Sequence, residues 1–324
     1  MFEHKNTKAE FNIIGQGICG MGGFGNYSKP KVRVQSDWGQ IQKDMTAKLT
    51  SRNLHTICAE GACPNIAECW SKKHAAFMIL GDVCTRRCTF CYVRKGRPVT
   101  VDSQEPANLA QTVFDMGLRH VVITSVTRDD LQDGGASHFV KCMEEIRSLY
   151  AAEGKKITIE LLTPDFKRKE GALEMVVKAK PDVFNHNIET MKRLYPTVRL
   201  GSSYDFSLNF LASIKKIDPS IFTKSGFMLG LGEIEEEIIE TLEDLRKHDV
   251  DFVTIGQYLR PTKFHHDVVE YVSDEKFNYY KKIAQDMGFL MISSSKLTRS
   301  SYHADDDFER MVENRKLQLS VASC

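Results

Sequence analysis

From about residue 77 onward the chain alternates short apolar runs with amphipathic stretches, and this alternation limits its fold more than any other feature. The runs are FMILGDV (77–83), VVITSV (121–126), KITIELLTP (156–164), VFNHNIE (183–189), FTKSGFMLGL (222–231) and DFVTIGQYL (251–259). Between them lie ANLAQTVFDMG, SHFVKCMEEIRSLY, GALEMVVKAK and EEEIIETLEDLRKH, whose apolar residues recur at helical spacing. Nearly continuous apolar strands separated by helices mean a parallel sheet covered on both faces. Six such units predict an α/β fold, a partial TIM-type (β/α)6 barrel over residues 77–294. Residues 1–76 read as an N-terminal extension laid against the barrel, and residues 295–324 as a C-terminal segment. In such a barrel the reactive groups sit on loops leaving the C-terminal strand ends.

One of those loops is CTRRCTFC, residues 84–91, directly after the first run. Cys84, Cys88 and Cys91 have helical spacing and could form a buried stripe. The polar Thr85, Arg86, Arg87 and Thr89 between them, with Gly81 before and Gly96 and Pro98 after, argue against a helix. Structural zinc would need a fourth ligand. Thiolates also select iron-sulfur clusters, and three of them on a four-iron cluster leave one iron open. A second trio, Cys58, Cys63 and Cys69, stands in CAEGACPNIAEC at C-x4-C-x5-C spacing.

Composition narrows the classes further. A net charge of +1 on 324 residues gives no basic excess for nucleic acid or an anionic membrane. No run supplies the apolar length of a membrane span, and MFEHKNTKAEF has neither a secretory apolar core nor the Arg-rich, acid-poor character of a mitochondrial presequence. A cytoplasmic protein is expected. There, nine cysteines point to metal or redox chemistry before disulfides. The acidic run EIEEEIIETLED (233–244) reads as a solvated helix face.

The C-x3-C-x-aromatic-C pattern, with Phe90 as the aromatic, resembles the radical S-adenosylmethionine (SAM) superfamily. The resemblance implies that Cys84, Cys88 and Cys91 hold a 4Fe-4S cluster whose open iron binds SAM, which is cleaved to a 5′-deoxyadenosyl radical. The trio of Cys58, Cys63 and Cys69 narrows this, because it resembles the auxiliary-cluster motif of the lipoyl synthase family. The likeness continues through residues 54–306 in CPNIAECW, HVVITSVTRDDLQDGGA, PDVFNHNIET, TKSGFMLGLGE, TIGQYLRPT and RSSYHAD. It implies a second 4Fe-4S cluster on Cys58, Cys63, Cys69 and Ser301 of RSSY, consumed as the sulfur source. A hard serine oxygen beside three thiolates is a weak partner for iron, which suits a cluster meant to come apart.

The same resemblance implies that Asn187 and Glu189 meet the SAM ribose, Thr124 and Ser125 its ammonium, and Arg199 its carboxylate, with Phe90 bordering the cofactor. The implied reaction inserts sulfur at C6 and C8 of an octanoyl chain on a carrier-domain lysine. The carrier is either an acyltransferase subunit of a 2-oxo acid dehydrogenase or a glycine cleavage carrier protein. A flavodoxin- or ferredoxin-type electron donor and an iron-sulfur cluster carrier are further implied partners. Two alternatives stand beside this reading: another sulfur-inserting enzyme related to biotin synthase, and a non-catalytic iron-sulfur electron-transfer module.

Other features read as bland. GQGICG (15–20) fits a dinucleotide-binding pattern, but MGGFGNYSKP after it opposes the helix that pattern needs. Cys19, Cys142 and Cys324 read as spare thiols. His265 and His266, if on a strand, would face opposite ways and suit a surface or a substrate pocket. The chain departs from the family in KPKVRVQSDW (29–38) and in SKLT (295–298) before RSSY, which bears on acceptor recognition.

Overall fold

The computed structural model describes residues 37–322; GQGICG, Cys19, Cys324 and nearly all of KPKVRVQSDW lie outside them. The strands are β1 (His55–Thr56), β2 (Ala76–Ile79), β3 (Val83–Cys84), β4 (Arg94–Lys95), β5 (His120–Ser125), β6 (Thr158–Leu162), β7 (Val183–Asn185), β8 (Phe222–Leu229), β9 (Phe252–Gln257) and β10 (Met291–Ser295). Eight of them form one sheet in the order β1-β2-β5-β6-β7-β8-β9-β10. Only β1 is antiparallel to its neighbour. The sheet is a partial barrel that does not close, with β1 and β10 as its edges.

Parallel pairing puts registered partners on one face. The outward set includes Phe77, Ile123, Leu161, Phe184, Phe227 and Ile255, packed with the helices into one large core. Met45, Leu49, Leu54 and Trp70, from the described part of residues 1–76, belong to that same core. The inward set is mixed: Val122 pairs with Glu160 and Asn185 with Lys224. At the N-terminal strand ends, Val183, Phe222, Phe252 and Leu290 pack with Met311 and Phe308. The helix Ala304–Ala322 therefore plugs the floor, with Phe308 stacked 5.3 Å from His120. Above the plug, Lys224 Nζ meets Glu160 at 3.1 Å, both side chains 1% exposed, and Asn185 Nδ2 donates to the same carboxylate at 3.0 Å.

Three findings differ from expectation. Beyond the six expected strands there is β10, sequence MISSS, whose three serines hide it from an apolar pattern; only its Ile292 is buried. The fourth run stops early, because β7 ends at Asn185 and Glu189 has φ 67°. Asn187 and Glu189 are thus not successive same-face residues of a strand. In the acidic run, Glu235 and Glu236 are exposed at the start of the helix Glu235–Lys247, whereas Glu233 is turned in. Its carboxylate accepts from the amides of Gly230 (2.5 Å) and Leu231 (2.9 Å). Among the described residues no helix is long and apolar enough to cross a membrane.

Candidate active site

The CTRRCTFC loop leaves β2 through Leu80 and Gly81, both at positive φ, and lies at the C-terminal strand ends. It is no helix. Cys84 sits in β3, paired with Lys95 of β4, and the Gly96 amide donates to the Cys84 carbonyl at 3.0 Å. The Thr85 amide donates to Thr127 O and the Thr89 amide to Val198 O, each at 3.0 Å. Lys95 Nζ donates to Cys88 O at 3.0 Å. His265 and His266 lie in a loop, not on a strand. His265 Nε2 is 3.2 Å from Cys91 O, and the His266 amide donates to Thr89 O at 3.0 Å. The histidine pair clasps the cysteine loop.

Arg86 is the loop's main fastening. Its side chain, 9% exposed, donates from Nε and Nη2 to both oxygens of Asp129 at 3.0 Å and from Nη1 to Asp165 Oδ2 at 3.0 Å. A further short contact joins Nη2 to Asp165 Oδ1. Both acids follow strand ends, so one fork ties the loop to β5 and β6. Burial alone would raise the Asp165 carboxyl, but the Arg86 guanidinium overrides this and holds it at about 2.

Around this loop the residues expected to meet SAM are disposed unequally. The Ser125 hydroxyl is buried with no partner, as is that of Thr163 at the end of β6. Thr124 Oγ1 instead donates to Leu162 O at 2.9 Å, so its proton is spent within the sheet. Glu189 is enclosed, and burial raises its pKa against the pull of Arg199 and Asn187. Arg199, itself buried, donates to Tyr195 Oη (2.7 Å) and Ser207 Oγ (3.0 Å). Its charge also acts on Cys88. Burial and then Arg199 push His186 down to about 3; this neutral, hydrogen-bonded ring is an interior polar group. Phe90 packs beside Leu231 and Tyr258. Asn187, whose amide also acts on Glu189, donates from Nδ2 to Ser300 Oγ at 2.7 Å.

The other trio lies across the open edge of the sheet. Cys58 is in the short helix Ile57–Glu60, capped by Thr56 Oγ1 accepting from the Ala59 amide at 3.3 Å. Cys69 is in the helix Ile66–Ser71, and Cys63 lies between them. All three line one cavity with Ser301, Arg299 and His120. Ser301 comes from the opposite end of the chain, held there by side-chain bridges. Asn65 Nδ2 donates to Leu297 O (2.7 Å), Tyr302 Oη to Glu68 Oε2 (2.7 Å), and His74 meets Asp305 at 3.2 Å. The structure thereby distinguishes the two serines of RSSY, since Ser300 pairs with Asn187 and Ser301 lines the cysteine cavity. Burial pushes Cys58 and Cys69 up to about 12 and raises Cys63. Cys91 is pushed up to about 12 in the same way. A metal bound by these raised thiols would have to displace their protons. Cys142 is a buried core thiol away from either.

Sequence reasoning did not assign Arg86, Asp129, Asp165, Ser300 or Arg299. The signals were an arginine inside a cysteine loop and acids in TRDD and TPD, directly after two apolar runs.

Among the described residues no three His, Cys, Asp or Glu side chains are gathered as round a single ion; a four-iron cube is larger than an ion and spreads its thiolates wider. The donor set fits such a cluster at Cys84, Cys88 and Cys91, and the enclosed Glu189 and Arg199, both of which act on Cys88, fit a polar, charged cofactor beside it. The solved structures of SuiB share the fold. Streptococcus suis SuiB bound to S-adenosylmethionine matches 78% of this chain and 58% of its own, with TM-score 0.51 and 13% identity. SuiB bound to precursor peptide SuiA matches 83% and 57%, with TM-score 0.52 and 12% identity. Methylornithine synthase (PylB) matches 69% and 74%, with TM-score 0.49 and 16% identity. The chain thus spans little more than half the length of SuiB. The model of the radical SAM superfamily matches residues 78–245, from β2 through the cysteine loop to the helix after β8, and the chain belongs to that superfamily, whose members bind SAM on a 4Fe-4S cluster.

Proposed function

We propose that the protein is a sulfur-inserting enzyme of the lipoyl synthase type, forming C–S bonds at C6 and C8 of an octanoyl chain carried on a lysine of a lipoyl carrier domain. The observation that carries this reading is one cavity lined by Cys58, Cys63, Cys69 and Ser301, three soft ligands from one end of the chain and a hard one from the other. When bound, the cluster on Cys84, Cys88 and Cys91 supplies electrons for SAM cleavage, and a 4Fe-4S cluster on the other four residues supplies sulfur.

The chain's own part is positioning. The clasped loop presents Cys84, Cys88 and Cys91 at the barrel mouth, beside the Ser125 and Thr163 hydroxyls and the buried Arg199. Glu189 and Asn187 would face the SAM ribose and Arg199 its carboxylate. Thr124 or Ser125 would accept from the SAM ammonium; Thr124 Oγ1, having donated its proton to Leu162 O, keeps lone pairs for that bond. A methylene proton is far too weakly acidic for any side-chain base, so the barrel's work is to exclude water and aim the chain. The partners proposed are an octanoylated acyltransferase subunit or glycine cleavage carrier protein, a small flavodoxin- or ferredoxin-type donor, and a cluster carrier, all in the cytoplasm.

The test is anaerobic: reconstituted protein, SAM, reductant and an octanoyl-lysine carrier peptide, with the peptide followed by mass spectrometry. Gain of two sulfurs is expected. SAM cleavage with an unchanged peptide would redirect the reading to another acceptor, such as that of a biotin synthase relative. No cleavage by fully iron-loaded protein would favour an electron-transfer module.

A further inference from the structure

Arg299 has no role in the chemistry described so far, yet it lines the same cavity as Cys58, Cys63 and Cys69. Among the described residues it has no carboxylate partner. Its one hydrogen bond runs from Nη1 to the carbonyl of its neighbour Thr298 at 2.6 Å, and the titratable group whose anionic form would act on it is Cys63. The fold makes room for this arrangement. A Cβ at Gly256 of β9 would stand 2.3 Å from Thr298 O and 3.1 Å from Arg299 Nη1, so only glycine lets the guanidinium and its backbone in. Arginine keeps its charge, and an enclosed charge with no partner is costly. The cavity is therefore built to receive an anion.

Three thiolates and a serine oxygen round an iron cluster make such an anion. We infer that Arg299 is a positioning residue that balances the charge of this second cluster and holds its reduction potential above what the ligand set alone would give. The inference rests on the two-cluster reading above. A cation at the cavity wall stabilises the more negative, reduced cluster, and nearby charge is one of the levers that sets cluster potentials.

The experiment uses the full chain with Cys84, Cys88 and Cys91 replaced by Ala, so that only the second cluster reports, and follows its reduction by EPR during a redox titration. In that background R299Q should titrate at a potential lower by a factor of at least roughly tenfold in the reduced-to-oxidised ratio, or about 59 mV for one electron. R299K should recover most of the shift. An R299Q potential equal to that of the parent would overturn the inference while leaving the cluster in place. If R299Q takes up no cluster, loading by R299K supports the charge role, and failure of both overturns it. A parent background that binds no iron would overturn the two-cluster reading, and the inference with it.

Discussion

The two cysteine trios are held in opposite ways. The loop of Cys84, Cys88 and Cys91 is tied through its backbone, to Thr127, Val198 and Gly96, and above all through one buried arginine forked onto two acids. The trio of Cys58, Cys63 and Cys69 rides on two short helices. Its fourth lining group, Ser301, arrives on a segment held by side-chain contacts such as Tyr302 to Glu68, a carboxylate whose side chain is 33% exposed. Backbone bonds inside a barrel mouth persist, whereas partly exposed side-chain contacts each contribute little and open locally. Under the proposed function, the first arrangement would suit a cofactor that survives each turnover, and the second one that is dismantled and rebuilt.

This contrast can be broken by mutation. Arg86→Met leaves Asp129 and Asp165 without their cation in a largely enclosed site, and breaking such a buried pair costs about 3–5 kcal/mol. Urea unfolding should register that loss, with SAM cleavage falling at the same time. A variant of unchanged stability would show that the fork does not fasten the loop. By comparison, Tyr302→Phe removes one hydrogen bond to a carboxylate and should cost about 1.5–3 kcal/mol or less. Iron loading of the cavity should drop in this variant while SAM cleavage persists; equal loss of both would show that the segment supports the two sites alike.

Acidity sharpens the same contrast. With Asp165 at about 2 when folded and about 3.9 when unfolded, its contribution is fully present above roughly pH 4. It is lost as pH falls through about 2. Acid titration of the iron-free protein should show wild type losing stability between these values more steeply than Asp165→Asn. Parallel profiles would count against the Arg86 fork. The smallest effect belongs to the clasp: His265→Ala removes one contact to Cys91 O, and should lower the melting temperature by a few degrees at most, about 1 kcal/mol.

The parallel strands were legible because strands buried on both faces must be apolar, and FMILGDV and VVITSV are. The strand MISSS was not, since an edge strand carrying serines has no such signature. The grouping of six cysteines into two trios was legible from spacing, and the place of Ser301 beside Cys58, Cys63 and Cys69 from its motif. What spacing could not supply was which serine turns towards the cysteines, how early β7 ends, or that Arg86 fastens the loop of one trio while Arg299 lines the cavity of the other. Those depend on loops whose φ angles and long-range partners leave no local pattern, as with Glu189 at positive φ and Ser300 against Asn187.

The most direct test of two trios with separate roles is a paired one, in which SAM cleavage and sulfur gain are measured together for Cys84→Ala and Cys58→Ala after anaerobic reconstitution. The account predicts that Cys84→Ala loses both, while Cys58→Ala still cleaves SAM and adds no sulfur. Sulfur insertion at the wild-type level by Cys58→Ala would contradict it.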